Sequence, residues 1–201
     1  MTQRQRSLMF DYNNLSLFGK VSLWFGNNII LSSMIPGKWL DVLSGYRSLL
    51  QKSQIKNKKY ELFSLDFKLD KSLKESGINI KESKIRNRLP YISGKFNNVT
   101  MVNGLEHLEM NQKILVEMFR VLKKDGILQI IVPTWFGKRF LEIYAFKIGN
   151  KQAYIEMNDH KMYYDEKTLW PMLVKAGFKP HNIYMKRIKF YCSLYARAIK
   201  E

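Results

Sequence analysis

The run Asn98-Val99-Thr100-Met101-Val102-Asn103, then Gln112–Leu122, then Ile127-Leu128-Gln129-Ile130-Ile131-Val132-Pro133 decides the fold class. The first piece is apolar between asparagines and reads as a strand over 98–103. In the second, Ile114, Leu115, Met118, Phe119, Val121 and Leu122 share one face at helical spacing. Lys123 and Lys124 suit the C-terminal end of that helix, and Asp125-Gly126 reads as a turn. Ile127–Val132 is the most apolar strand and is ended by Pro133. A continuous apolar run of that kind suits a strand covered on both faces.

Working outward, the same alternation continues. Lys38–Leu43, Tyr60–Asp66 and Ile78–Glu82 read as strands. Arg47–Ser53 and Leu69–Ser76 read as helices, the second stopped by Gly77. Beyond 133, Lys167–Ala176 reads as a helix closed by Gly177, and Pro180–Lys186 and Lys189–Ile199 as two strands. The last two strands are too close for a helical crossover and should pair as an antiparallel hairpin. The expectation is an α/β fold with a doubly wound, mostly parallel, seven-stranded sheet and an antiparallel C-terminal hairpin. Its domains are an N-terminal helical extension over 1–37 and the α/β domain over 38–201. Ligands in such sheets sit beyond the carboxyl ends of the strands.

Two features suggest a nucleotide-like ligand. The first strand ends Asp41-Val42-Leu43-Ser44-Gly45, a tight turn that can cradle a cofactor against backbone amides. The second ends in Asp66, where a carboxylate can accept ribose hydroxyls; capping the helix that follows is the plain alternative.

The motifs go further. Leu89-Pro90-Tyr91, Phe96-Asn97-Asn98-Val99, Leu105-Glu106-His107-Leu108 and Arg120-Val121-Leu122-Lys123-Lys124-Asp125-Gly126 resemble class I S-adenosylmethionine-dependent methyltransferases in order and spacing. His160, Tyr163-Tyr164-Asp165, Leu169 and Ala176-Gly177-Phe178 resemble the same family's C-terminal signature. The likeness spans about residues 38–200, in the branch that methylates small molecules, lipid precursors and sugars. It implies a Rossmann-like methyltransferase fold, S-adenosylmethionine as cofactor, and Asp41, Ser44, Gly45, Asp66, Asn103 and Glu106 as cofactor-binding residues.

The chain departs from the family in places. Of the three glycines of the Asp-x-Gly-x-Gly-x-Gly motif only the middle one survives, as Gly45; Leu43 and Arg47 replace its neighbours, while Asp41 is kept. A leucine there takes up space and is strained if the turn needs a positive φ. The acidic residue after the third strand falls at Ser83 or Lys84, with Glu82 close by, and the Asp of Phe-Asp-x-Val is Asn97.

Transfer to a hydroxyl also needs a base or an orienting group, and histidine is the natural choice. His107 follows the fourth strand, where the methyl group should be presented, and is the first catalytic candidate. A local hydrogen bond of Glu106-His107 that holds the loop is the alternative. His160 is the second candidate, and His181 reads as structural. The three histidines are scattered in sequence and Cys192 is the single cysteine, so no metal site is expected. Asn103-Gly104-Leu105 is not the Asn/Asp-Pro-Pro-aromatic motif of amino methylation on nucleic-acid bases. Cys192, expected inside the last strand, does not suit a thiol nucleophile.

Between Pro133 and Lys167 lies an insertion (134–166) with aromatic and basic residues interleaved, including Trp135, Phe136, Lys138, Arg139 and Phe140. It reads as a lid for a lipid-linked or aromatic acceptor, with the cations suited to phosphate. A helix burying its own aromatics is the alternative.

Composition bounds the rest. Of 201 residues, 46% are hydrophobic, enough for a core, and the length fits one domain. The 34 Lys and Arg against 17 Asp and Glu give a net charge of +17, spread over both halves. Either this is a solvated lysine-rich surface, or it draws an anionic partner. The resemblance implies a small-molecule, sugar or lipid-linked glycan hydroxyl as the acceptor, and the charge adds the expectation that it is anionic. No run is long and apolar enough to span a membrane, and no signal peptide is recognisable. The location expected is cytoplasmic, with peripheral membrane contact through the N-terminal helix as the other reading. A non-catalytic scaffold with a damaged cofactor site and an RNA-directed methyltransferase are the competing functions.

Overall fold

The computed structural model describes residues 17–45, 49, 59–67, 69, 72–85 and 88–201. Its sheet is built from β1 (Gly37–Val42), β2 (Tyr60–Asp66), β3 (Asn79–Glu82), β4 (Phe96–Val102), β5 (Leu122–Pro133), β6 (Ile183–Ile188) and β7 (Ser193–Ile199). Their order is β3-β2-β1-β4-β5-β7-β6. The first five are parallel; β7 runs antiparallel between β5 and β6. The order reverses between β1 and β4, so the crevice at the carboxyl ends opens there.

Helices α1 (Leu17–Leu31), α2 (Ser72–Glu75), α3 (Asn111–Val121), α4 (Trp135–Glu142), α5 (Lys151–Asp159) and α6 (Glu166–Ala176) complete the described elements, with a π-helical turn at Ile143–Lys147 after α4. The sheet is buried on both faces because successive strand residues point opposite ways. Ile130 and Val132 join a core with Ile114, Leu115 and Met118 of α3 and Leu169 and Leu173 of α6. Ile131 faces the other side, with Ile30 of α1, Trp39 and Tyr195. The polar residue inside this strand is satisfied: Gln129 accepts from the Tyr195 hydroxyl (2.7 Å) and donates to Ile30 O (3.2 Å), pinning the end of α1 to the sheet.

At the reversal, Trp39 Nε1 donates to Thr100 Oγ1 (2.9 Å), and that hydroxyl donates to Asp41 Oδ1 (2.6 Å). Asp41 and Thr100 are buried, and this relay ties β1 to β4 inside the core. Arg120 does comparable work on the surface. It pairs with Glu117, donates to Leu89 O (3.1 Å), and Glu117 accepts from Leu89 N, so the Leu89-Pro90-Tyr91 segment is clamped to α3.

Several expectations need correction. No turn separates α3 from β5; the strand starts at Leu122, and Asp125 (φ 60) sits in an irregular stretch where the β4–β5 register shifts. Asp125 N and Gly126 O bond to Lys200 O and N, so backbone pairing replaces the turn. Lys123 and Lys124 are exposed, and the end of α3 is capped by Lys200 Nζ at Phe119 O and Leu122 O (2.8 Å each). Cys192 lies in the loop before β7, not in the strand. In the second helix only Ser72–Glu75 is seen as helix, with Gly77 (φ 75) at its end. Of the expected helix Arg47–Ser53 only Leu49 is described, and it is helical; the rest of it, Arg47 included, lies outside the described residues, as do residues 1–16. Gly177 closes α6 with φ 116, and a side chain there would meet the Phe119 ring at 2.9 Å.

Thr100→Val keeps the shape of the buried relay and removes both of its hydrogen bonds. Urea unfolding should show a loss of about 1–3 kcal/mol, without a change in the denaturant slope.

Candidate active site

The first wall is the turn after β1. Leu43 (φ 55) and Gly45 (φ 68) both hold left-handed backbone, the conformation that favours glycine. The strain expected at Leu43 is therefore present, on the order of 1–2 kcal/mol. The loss of space is not. Leu43 is only 4% exposed and joins the core with Met101 and Leu105, its side chain lying against Gly104. Among the described residues nothing lies within 4 Å of where a side chain on Gly45 would start. Asp66 shapes the turn, accepting from Gly45 N (2.7 Å) and Phe67 N (2.6 Å), and Ser44 Oγ bonds Ser64 Oγ (2.5 Å). Glu82, considered for the adenine end, accepts from Leu69 N (2.9 Å). Asp41 braces the cradle from within the sheet rather than at its rim. An open glycine cradle, a carboxylate at the end of β2 and a leucine folded away into the core fit S-adenosylmethionine.

The second wall starts at the exit of β4. Asn103 (φ 48) turns the chain, and Leu105–His107 form a single 3-10 turn. Glu106 is buried at 1% exposure. A strap over residues 160–164 is stitched across this exit. Lys161 N donates to Glu106 O (2.7 Å), Tyr164 N to Pro133 O (3.0 Å), and Asn111 Nδ2 to the Tyr164 hydroxyl (3.1 Å). The strap sets the His160 ring against the His107 ring, with centroids 4.9 Å apart. His107 Nδ1 lies 2.8 Å from Asp159 Oδ2, and its Nε2 lies 3.7 Å from Glu106 Oε1. The two histidines, 53 positions apart in sequence, thus share one site, contrary to the scattered arrangement expected. With a carboxylate facing each nitrogen, His107 is placed to orient a ligand more than to act as a free base.

Tyr163 and Trp135 extend the site outward. The Tyr163 ring lies 5.1 Å from His160 and 5.6 Å from Trp135, with Lys138 Nζ 6.0 Å from its centroid. Asp159, Tyr163, Trp135 and Lys189 were not among the sequence-derived site residues. The Asp159-His160 adjacency was the one available signal. Nothing local marks Lys189, which arrives from the β6–β7 loop. His181 stands apart, paired with Glu201 at the surface.

Within 134–166 the strap tyrosines Tyr163 and Tyr164 are buried, but the aromatics of α4 are not. Helix α4 has no buried residue, and Trp135, Phe136 and Phe140 are exposed. The β6–β7 tip packs beside it: Thr134 Oγ1 donates to Tyr191 O (2.6 Å), and Gly137 lies against the Cys192 backbone. On its other side the tip reaches α1, where Lys189 approaches Gly26.

A family described as methyltransferase domain matches residues 51–130. The chain is similar to the class I S-adenosylmethionine-dependent methyltransferases. It is 26% identical to the ubiquinone/menaquinone biosynthesis C-methyltransferase UbiE of Shewanella sp. (strain ANA-3), over 83% of this chain and 76% of that protein. Its fold is similar to a SAM-dependent methyltransferase from Aquifex aeolicus, with a TM-score of 0.66, 18% identity and full coverage (100%) of both chains. It is also similar to phosphoethanolamine N-methyltransferase 2 of Haemonchus contortus in complex with S-adenosyl-L-methionine. There the TM-score is 0.67 and the identity 12%, over 98% of this chain and 56% of that one. These likenesses support an S-adenosylmethionine-dependent methyltransferase.

Burial lowers the Lys189 ammonium to about 8, against a partial pull upward from Glu106 and Cys192. Between pH 8 and its ordinary 10.5 the unfolded chain binds the extra proton, so stability should rise with pH across that window. Lys189→Met should be more stable than wild type at pH 7.5, and this advantage should shrink by pH 10. Urea unfolding at the two pH values checks it.

Proposed function

We propose that this methyltransferase acts on an acceptor bearing an ionisable hydroxyl, small, sugar-like or lipid-linked and anionic, bound between the histidine pair and Trp135. The observation that carries the reading is the strap that brings His160 and Tyr163 to Glu106 and His107 beside the cofactor cradle. S-adenosylmethionine supplies a methyl group already activated on a sulfonium, so the protein's task is alignment and exclusion of water. The turn at Leu43–Gly45 and Asp66 hold the cofactor; Asn103 and Glu106 support it from β4. His107 and His160 face the acceptor oxygen. Residues 134–166 form the lid, with Trp135 and Tyr163 as an aromatic wall and Lys138 for an anionic group.

The product is an O-methyl ether. C-methylation of a ring carbon beside a hydroxyl is the second reading, favoured by the aromatic wall and by relatives named as C-methyltransferases. Both need the hydroxyl ionised, so both place the same demand on the site.

The acceptor's source is read from the rim. Trp24 and Phe25 of α1, Phe190 and Tyr191 at the β6–β7 tip, and Phe136 and Phe140 of α4 are exposed on three adjoining segments. Phe190 is 81% exposed. Lys189, Phe190 and Tyr191 all hold positive φ (53, 52 and 67), so backbone strain is spent on presenting two aromatics. Among the described residues no helix is long and apolar enough to cross a membrane. Exposed aromatics with a charge of +17 suit peripheral contact with an anionic membrane face, and hence a cytoplasmic protein that meets its acceptor there.

Calorimetry should show binding of S-adenosylmethionine and of its demethylated product; none at millimolar concentration refutes the reading. His107→Gln should cost on the order of 100-fold in turnover with cofactor affinity kept, because it misplaces the acceptor. Vesicles containing phosphatidylglycerol should sediment the protein and neutral vesicles should not, and Phe190→Ser with Tyr191→Ser should abolish this. Tight, salt-sensitive RNA binding without vesicle binding would instead favour an RNA acceptor.

A further inference from the structure

We propose that Glu106, His107 and His160 bind a divalent first-row transition cation, with coordination positions left open toward the acceptor. Among the described residues their ligand atoms all lie within 4.8 Å of one another. Such a cation holds nitrogen and oxygen ligands at roughly 2.0–2.2 Å, which puts neighbouring ligand atoms roughly 3–4 Å apart. His107 Nε2 and Glu106 Oε1, at 3.7 Å, are too far apart for a hydrogen bond and at the right separation to share an ion.

The surroundings match a metal ligand in a second way. His107 turns its other nitrogen, Nδ1, to within 2.8 Å of Asp159 Oδ2. A carboxylate behind a histidine fixes the ring and raises the basicity of the nitrogen facing the metal. The three residues come from two separate segments, the β4 exit and the strap. Those segments are locked together by the Lys161 N to Glu106 O bond (2.7 Å), so the donor set is held before any ligand arrives. Glu106 is almost fully buried, which gives the site a low-dielectric wall, and His107 and His160 are partly buried beside it.

Two imidazoles and one carboxylate are borderline donors that suit Zn²⁺, Mn²⁺, Fe²⁺ or Co²⁺ better than Mg²⁺ or Ca²⁺. Three protein ligands are the set of an open catalytic site, not of a closed structural one. An acceptor hydroxyl in the open position would lose its proton to water near neutral pH, since coordination stabilises the oxyanion. That supplies the ionised oxygen that either O- or C-methylation requires, without asking a histidine with both nitrogens engaged to serve as base. The inference rests on the proposed function for the position of the acceptor, but the cation site itself does not.

Protein stripped with a chelator is titrated with Co²⁺ alone and followed by its visible absorption, then with Zn²⁺ by competition. One equivalent should bind saturably. His160→Gln and Asp159→Asn should each weaken binding by roughly 10–100-fold with the thermal melt retained, and His181→Ala should leave it unchanged. No saturable binding to wild type, or binding that survives His160→Gln unaltered, overturns the proposal. Calorimetry with S-adenosylmethionine on the same samples separates the two readings. Cofactor binding without metal binding sinks only the cation site, and metal binding without cofactor binding sinks only the proposed function.

Discussion

The hydrogen-bonded relay from Trp39 through Thr100 to Asp41 is the interaction on which the site depends. It joins the two strands between which the sheet reverses its order. Both walls of the crevice leave from those strands: the Leu43–Gly45 turn from β1 and the Asn103–His107 exit from β4. A slip of one residue between β1 and β4 would exchange the two faces of the sheet. It would also separate the cradle from the histidines. The contact of Leu43 with Gly104 continues the same junction one step beyond the strands.

The second layer of organisation is the strap. Residues 160–164 form no regular element except one isolated bridge to Thr134, yet their backbone and side chains bond to the turn after β4, the end of β5 and the start of α3. Their work is positional. They convert two histidines far apart in sequence into a pair, and they carry Tyr163 to Trp135. The β6–β7 tip works similarly from the other side, wedged between α1 and α4 and holding three residues in left-handed backbone.

Most of the fold was legible because two-sided burial writes itself into the sequence as continuous apolar runs. All seven strands were visible, and Tyr60–Asp66 coincided to the residue. The misreadings were of a different kind. Asp125-Gly126 has turn chemistry, but pairing with Lys200 overrides it. Lys123 and Lys124 stand where a helix-capping cation should, but Lys200 takes the post from the far end of the chain. Leu43 looked like an obstruction, and only its packing into the core shows that the cradle stays open.

The sequence by itself determined the order of strands and helices, the parallel sheet with its terminal hairpin, and the motifs that carry the family. These are local patterns, set by periodicity and by short fixed spacings. The tertiary structure alone decided that His107, His160, Glu106 and Asp159 meet. It also decided that the aromatics of α4 face outward and that the half-buried Lys189 comes close enough to Glu106 to feel its charge. Each of these joins residues on segments distant in sequence, and such contacts follow from crossover geometry and not from neighbouring residues. Periodicity tells which face of an element is buried; it does not tell which other element will cover it.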